Sequence, residues 1–215
     1  MAKRLYIFSG LGADERVFER LDFSGFSVTF IKWIIPLKGE SIEEYTTRLL
    51  QQVTTTKPVL IGLSFGGMIA VEAAKQIETE KVILIASAKT KKEIPFYYRF
   101  AGAARLHKIV PAGWFKSVNG ITNWFFGAHA GAEKKLLKEI LQDTDPFFLT
   151  WAIDKIVRWS NQTSIQNLFH LHGTSDRILP FRFVHCDRTI KNGGHFMTLN
   201  KVEEINRVLE QELAG

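Results

Sequence analysis

The sequence predicts an α/β protein built on a mostly parallel sheet of about six strands, and three observations carry that prediction. Short apolar runs alternate with helical patterns from the N-terminus to Ser87 and again from Leu168 to the C-terminus. The runs are nearly continuous and rich in β-branched and aromatic residues, as strands covered on both faces are. The chain has 215 residues, 46% of them hydrophobic and 23% charged, which suits one globular domain with a sizeable core.

The elements follow in order. Arg4–Ser9 reads as a buried strand that ends at Ser9-Gly10-Leu11-Gly12. Asp14–Leu21 reads as a short helix, and Phe26–Trp33 as a second strand. Ser41 is a good N-cap, with Glu44 three residues on to complete a capping box, and the helix they open runs to about Val53. Pro58–Leu63 is a third strand, Phe65–Ile77 a helix and Lys81–Ser87 a fourth strand. The rhythm then breaks. Residues 89–160 contain the helical stretches Glu133–Leu141 and Pro146–Trp159 but no convincing strand. Alternation resumes with strands at Leu168–His172 and Arg188–Ile190 and a last helix over Lys201–Leu213. The implied organisation is a core of residues 1–88 and 161–215 with an insertion at 89–160.

Bulk properties narrow the function classes. No apolar stretch approaches the ~20 residues that span a bilayer, and the first apolar run is too short for a signal-peptide core. Cys186 is the single cysteine, so no internal disulfide forms and the residue reads as packing. A cytoplasmic protein without integral membrane association is expected. The formal net charge is +6. Residues 89–160 hold 12 Lys or Arg against 6 Asp or Glu, while the remainder holds 16 against 16, so the whole surplus lies in the insertion. The insertion also holds 13 of the 26 aromatic residues.

The chemistry-bearing residues sit just after predicted strands. Gly62-Leu63-Ser64-Phe65-Gly66 follows Val59-Leu60-Ile61 and leads into a helix. Such a turn strains its central residue, raises its side chain clear of the sheet and leaves room only for glycine on either side. A serine needs a base within hydrogen-bond reach and an acid to orient that base. His172-Gly173-Thr174-Ser175-Asp176 follows the fifth strand, and Gly193-Gly194-His195-Phe196 follows the last.

With these three motifs in the order Ser64, Asp176, His195, the whole chain resembles the α/β-hydrolase superfamily. The resemblance implies that Ser64 attacks an acyl carbon, His195 moves the proton and Asp176 holds the imidazole. It also implies an oxyanion hole from two backbone N–H groups, that of Phe65 and that of Leu11, although Ser9-Gly10 stands where many members carry His-Gly. The chain begins at what would be the third strand of the family, so a trimmed, all-parallel six-stranded sheet is expected. Residues 89–160 occupy the place of a helical cap; some of their aromatics must build its own small core, and their density suggests an apolar acyl or aromatic pocket above Ser64.

Rival readings use the same residues. Asp187 is a second candidate acid, but it precedes the last strand. His170 and His172 share one strand face like a metal pair, yet no third ligand has matching spacing, so no metal is expected. Gly10-x-Gly12 lacks the third glycine of a dinucleotide loop. His107, His129 and His185 read as surface or packing residues. Lys134, Lys135 and Lys138 read as a solvated helix face, with docking to an acidic carrier protein or an anionic substrate, or contact with an anionic membrane surface, as the alternatives; nucleic acid is not expected. The leading expectation is a cofactor-free serine hydrolase that cleaves a carboxylic ester, or a thioester or carrier-linked ester, through an acyl-enzyme. Other chemistry on the same fold (perhydrolase, C–C hydrolase or lyase) and a ligand-binding module with an idle triad stay open.

Overall fold

A computed structural model describes residues 3–105, 120–128 and 130–214, with the backbone alone at Ile121. His107, Trp114, Phe115 and His129 lie outside the described residues.

Six strands are present: β1 (Arg4–Phe8), β2 (Ser27–Phe30), β3 (Val59–Leu63), β4 (Lys81–Ile85), β5 (Leu168–Gly173) and β6 (Arg188–Ile190). They form one sheet in the order β2-β1-β3-β4-β5-β6, and every neighbouring pair is parallel. The chain builds outward from β1 to β2 and then crosses back to place β3 on the other side of β1. In open α/β sheets the crevice at such a reversal, beyond the C-terminal strand ends, is where ligands bind.

Alternate residues of each central strand feed two hydrophobic clusters. Leu5, Ile7, Ile61, Ile83 and Leu171 join the cluster on one face, and Tyr6, Phe8, Leu60, Val82 and Leu84 join the other. Both faces are thus buried, which is why the strands read as unbroken apolar runs.

The helices are α1 (Ile42–Leu49), α2 (Phe65–Ala74), α3 (Phe96–Ala103), α4 (Gly120–Phe126), α5 (Gly131–Asp143), α6 (Pro146–Val157), α7 (Met197–Asn200) and α8 (Val202–Ala214). The predicted capping box on α1 forms. The Glu44 amide donates to Ser41 Oγ at 3.1 Å and the Ser41 amide to Glu44 Oε2 at 2.8 Å. The helical stretch stops at Leu49, and its last turn tightens to 3₁₀ over Leu50–Gln52. Every residue of α2 from Phe65 to Ala73 is buried. Its walls are α1 on one side and β3 and β4 on the other.

Two elements are about half as long as predicted. The helix expected over Asp14–Leu21 is a single 3₁₀ turn, Glu15–Phe18. The Asp14 carboxylate accepts both the Arg16 amide and its guanidinium, and one turn is too short to sustain an α-helix. The strand expected over Phe26–Trp33 pairs only through Phe30, because its one partner, β1, ends at Phe8; the Ile31 amide still reaches Ile7 O at 2.9 Å.

Candidate active site

Ser64 sits between β3 and α2 with φ 53° and ψ −120°, a region that L-residues avoid. The glycines around it are dictated by backbone contact. A Cβ on Gly62 would strike the Gly67 backbone, one on Gly66 the carbonyl groups of Phe8 and Ser9, and one on Gly67 the Ser87 side chain. Three glycines, one more than the pentapeptide indicates, therefore let the first turn of α2 lie against β1 and the end of β4. The turn is fastened from the neighbouring strand. The Ser64 amide donates to Ile85 O at 3.0 Å, and Ser87 Oγ donates to Ser64 O at 2.6 Å. Ala86, between them, also has positive φ (48°). Ser87 escapes sequence reasoning because nothing in its own neighbourhood marks it; only strand register brings it to the turn.

The Asp176 and His195 loops meet in the same way. A Cβ on Gly173 would fall on the Gly193 backbone, and the Ser175 amide donates to Gly193 O at 2.9 Å. The glycines of the two motifs thus bring the strand-end loops into backbone contact. Asp176 Oδ1 accepts the amides of Ile178 and Leu179, each at 2.9 Å. Its Oδ2 lies 2.7 Å from His195 Nδ1, and His195 Nε2 lies 2.7 Å from Ser64 Oγ. The structure therefore joins Ser64, His195 and Asp176 in one hydrogen-bonded row. Because a carboxylate accepts only, Nδ1 carries the proton and Nε2 is left as the acceptor for the serine hydroxyl. Burial alone raises a carboxyl pKa. Here the His195 partner, with the backbone donors, outweighs burial and holds Asp176 below the ordinary carboxylate range.

The Gly10–Leu11 loop closes the opposite side. A Cβ on Gly10 would lie 3.7 Å from Ser64 Cβ. Gly12, at φ 67°, has no room for a side chain because Thr144 covers it. Thr144 Oγ1 donates to Ile140 O at 2.7 Å and lies 3.3 Å from Gly12 O, so the end of α5 is pinned to this loop.

A cavity of about 110 Å³ opens above Ser64 and His195. Its other walls include Leu11, Phe126, Leu137, Ile140, Leu141, Ile156, Ile178 and Phe196. The lining is apolar but mainly aliphatic. Most aromatics of residues 89–160 lie elsewhere. Phe148 and Trp151 pack with Trp33, Tyr45 and Phe65 in the second sheet-face cluster, and Phe96, Phe100, Trp124, Phe125 and Phe147 are exposed. Among the described aromatics of this segment Phe126 is the exception. Its ring lies edge-on to His195 at 5.9 Å, and its carbonyl accepts the Phe196 amide at 3.0 Å.

The sequence matches the model of the alpha/beta hydrolase family over residues 6–208. The chain belongs to that family.

Membership makes it an enzyme of hydrolase type. No curated protein matches the sequence. Among solved structures, the hydrolase fold seen here is shared by a bromoperoxidase from Bacillus anthracis, 17% identical, covering 100% of this chain and 93% of that one with a TM-score of 0.70. An esterase from Exiguobacterium antarcticum is 18% identical and covers 99% of this chain and 92% of its own, with a TM-score of 0.73. A thermophilic esterase from Thermogutta terrifontis is also 18% identical, covering 99% and 89% with a TM-score of 0.68. At such identities the likeness is one of fold.

The remaining candidates fall outside the row. Asp187 Oδ2 accepts the His170 amide at 2.8 Å, which ties it to the β5 backbone. The His170 and His172 rings stand 5.5 Å apart, both fully buried. Among the described residues no group of three or more His, Cys, Asp or Glu is placed to hold a metal. Cys186 packs half-buried against the second cluster. Lys134, Lys135 and Lys138 are exposed on α5, and Lys135 lies 3.9 Å from Glu139. No described helix is long and apolar enough to cross a membrane.

Proposed function

We propose that this hydrolase is a serine carboxylesterase acting on esters with a short, uncharged acyl group. The observation that carries the reading is the row of 2.7 Å contacts from Ser64 through His195 to Asp176, opening directly on an apolar cavity. Ser64 Oγ attacks the acyl carbon while His195 Nε2 takes its proton. The tetrahedral oxyanion collapses, the C–O bond to the alcohol breaks and His195 returns the proton to the leaving oxygen. Water then attacks the acyl-enzyme with His195 again as base, releasing the acid and restoring Ser64. Asp176 stays ionised, fixes the Nδ1–H tautomer and stabilises the imidazolium.

Phe65 and Leu11 are the proposed oxyanion donors. Phe65 is the first residue of α2, so its N–H has no intrahelical acceptor and sits at the positive end of the helix dipole. Leu11 lines the cavity beside Ser64. Residues 89–160 act as the cap, since Phe126, Leu137, Ile140, Leu141 and Ile156 supply much of the cavity wall. A dry apolar cavity of about 150 Å³ holds benzene, so about 110 Å³ suits an acyl chain of a few carbons. Among the described residues no Lys or Arg lines that cavity, which speaks for a neutral acyl group.

A fluorophosphonate probe tests the nucleophile. Labelling is expected for the wild type and absent in Ser64→Ala; failure of the wild type to label at neutral pH removes the serine-hydrolase reading. A p-nitrophenyl ester series from acetyl to dodecanoyl, with matched thioesters, tests the substrate. Activity should peak near butanoyl, and a flat profile would show that the cavity does not select the acyl group.

A further inference from the structure

We propose that His172 is a positioning residue for Asp176, acting through the turn that presents the carboxylate to His195. The inference rests on the serine-hydrolase reading above. His172 lies on β5, four residues before Asp176, and its side chain is fully buried. The ring makes one hydrogen bond, from Nε2 to Leu179 O at 2.8 Å; a carbonyl only accepts, so Nε2 carries the hydrogen. The Leu179 amide in turn donates to Asp176 Oδ1 at 2.9 Å. His172, Leu179 and Asp176 therefore form a strap from the strand to the acid. With Oδ1 held by the Ile178 and Leu179 amides, Oδ2 is turned to His195.

His172 Nε2 lies only 3.7 Å from that same Oδ2. A charged imidazole there would compete with His195 for the carboxylate. Burial pushes the His172 pKa below its ordinary value, so the ring stays neutral and leaves the Asp176 charge to His195. The titratable groups acting on His172 are Asp176 and His195, with His170 beside it on β5. The Asp176 charge acts on Tyr98 of α3, and Lys89 bears on His170. In register, β6 offers only Thr189 opposite His172. Its Nδ1 makes no hydrogen bond of ordinary geometry. Among the described residues the ring's single hydrogen bond is thus with the turn that carries the acid.

The test uses two variants of the full chain. His172→Phe fills the ring space without a donor; His172→Gln restores an amide N–H near Nε2. Misplacing a catalytic group by about 1 Å costs on the order of 100-fold. For p-nitrophenyl butanoate, kcat in His172→Phe should fall about 10- to 100-fold with KM within about twofold of wild type. The acid limb of kcat/KM should move to lower pH, because a loosened Asp176 stabilises the imidazolium less. His172→Gln should recover most of the loss. A second readout needs no turnover: the low-field proton resonance of His195 Nδ1–H should weaken or shift upfield in His172→Phe and return in His172→Gln. If the wild type neither labels nor hydrolyses, the serine-hydrolase reading falls while this resonance still decides the hold on Asp176. Wild-type kcat, pH limb and resonance in His172→Phe would overturn the proposal. So would a kcat loss that merely follows a lower Tm, with the limb unmoved and no recovery in His172→Gln.

Discussion

At the C-terminal ends of the strands, the residues around Ser64 are held by backbone touching backbone: Gly66 against Phe8 and Ser9, Gly62 against Gly67, Gly173 against Gly193. In the segment between β4 and β5, the helices are held mainly by side chains: Leu137, Ile140 and Leu141 on one sheet face, Phe148 and Trp151 on the other. A backbone contact has no rotamer to yield, so it keeps a 2.7 Å hydrogen-bond row in register. A side-chain contact exchanges one aliphatic residue for another at modest cost. The difference separates two tasks on one scaffold. On the proposed reading, the strand-end loops place the chemistry and the helices between β4 and β5 shape the space in which it acts.

The comparison breaks most visibly if the row of contacts is not catalytic. Replacing Asp176 with Asn removes the acceptor that fixes the His195 tautomer, and kcat should fall about 10⁴-fold while the fold survives. A loss below tenfold, measured with any ester the wild type turns over, would place the acid elsewhere.

Next comes the backbone contact itself. A Cβ at Gly66 meets main-chain carbonyls, which cannot move aside. Gly66→Ala should cost about 3 kcal/mol or more and lower hydrolase activity in the remaining folded protein. Chemical denaturation that puts the cost under 1 kcal/mol would mean the turn has more slack than its geometry allows.

The inserted helices should respond more mildly. Leu137→Ala enlarges the cavity and should shift the preferred acyl chain by two to four carbons, changing relative kcat/KM about 10-fold, since one methylene in an apolar pocket is worth about 1–3 kcal/mol. Fluorophosphonate labelling should stay near wild type, because the Leu137 side chain makes no hydrogen bond to the row. An unchanged chain-length profile would remove the cavity from substrate choice.

The smallest effect concerns stability and pH. Burial lowers the His170 pKa from 6.5 to about 3, and it lowers that of His172 as well. The unfolded chain binds these protons once pH drops below about 6.5 and the folded chain does not, so stability is fully present above that pH and is lost as pH falls. His170 faces the backbone of Ser87 and His185, but its ring nitrogens make no hydrogen bond of ordinary geometry. His170→Leu should therefore flatten the decline between pH 7 and 5 by about 1 kcal/mol per pH unit. A parallel decline in wild type and variant would assign it to other groups.

Much of this was legible before any tertiary structure. Six strands appear where apolar runs predict them, because a strand buried on both faces has no polar positions to hide. The motifs at Ser64, Asp176 and His195 were legible because each is a strand-end turn whose backbone demands glycine within two or three residues. Ser87 and Gly67 were less so. Ser87 matters only because β4 lies beside β3, and Gly67 only because Ser87 is there. The density of aromatics in residues 89–160 suggests an apolar pocket without saying which of them line it: Phe148 belongs to the sheet-face core, Phe126 to the His195 loop and Phe100 to the surface.

By itself, the sequence determined the strand order along the chain, the three loops and the residue types able to do acyl chemistry. These depend on steric and periodic requirements met within a few neighbouring residues. Tertiary structure alone decided which side chains line the cavity, which strand fastens the Ser64 turn and how His172 reaches Asp176 through Leu179. Those depend on helix orientation and on contacts between distant segments, where an apolar residue serves equally well in a wall, a core or an exposed face until packing assigns it.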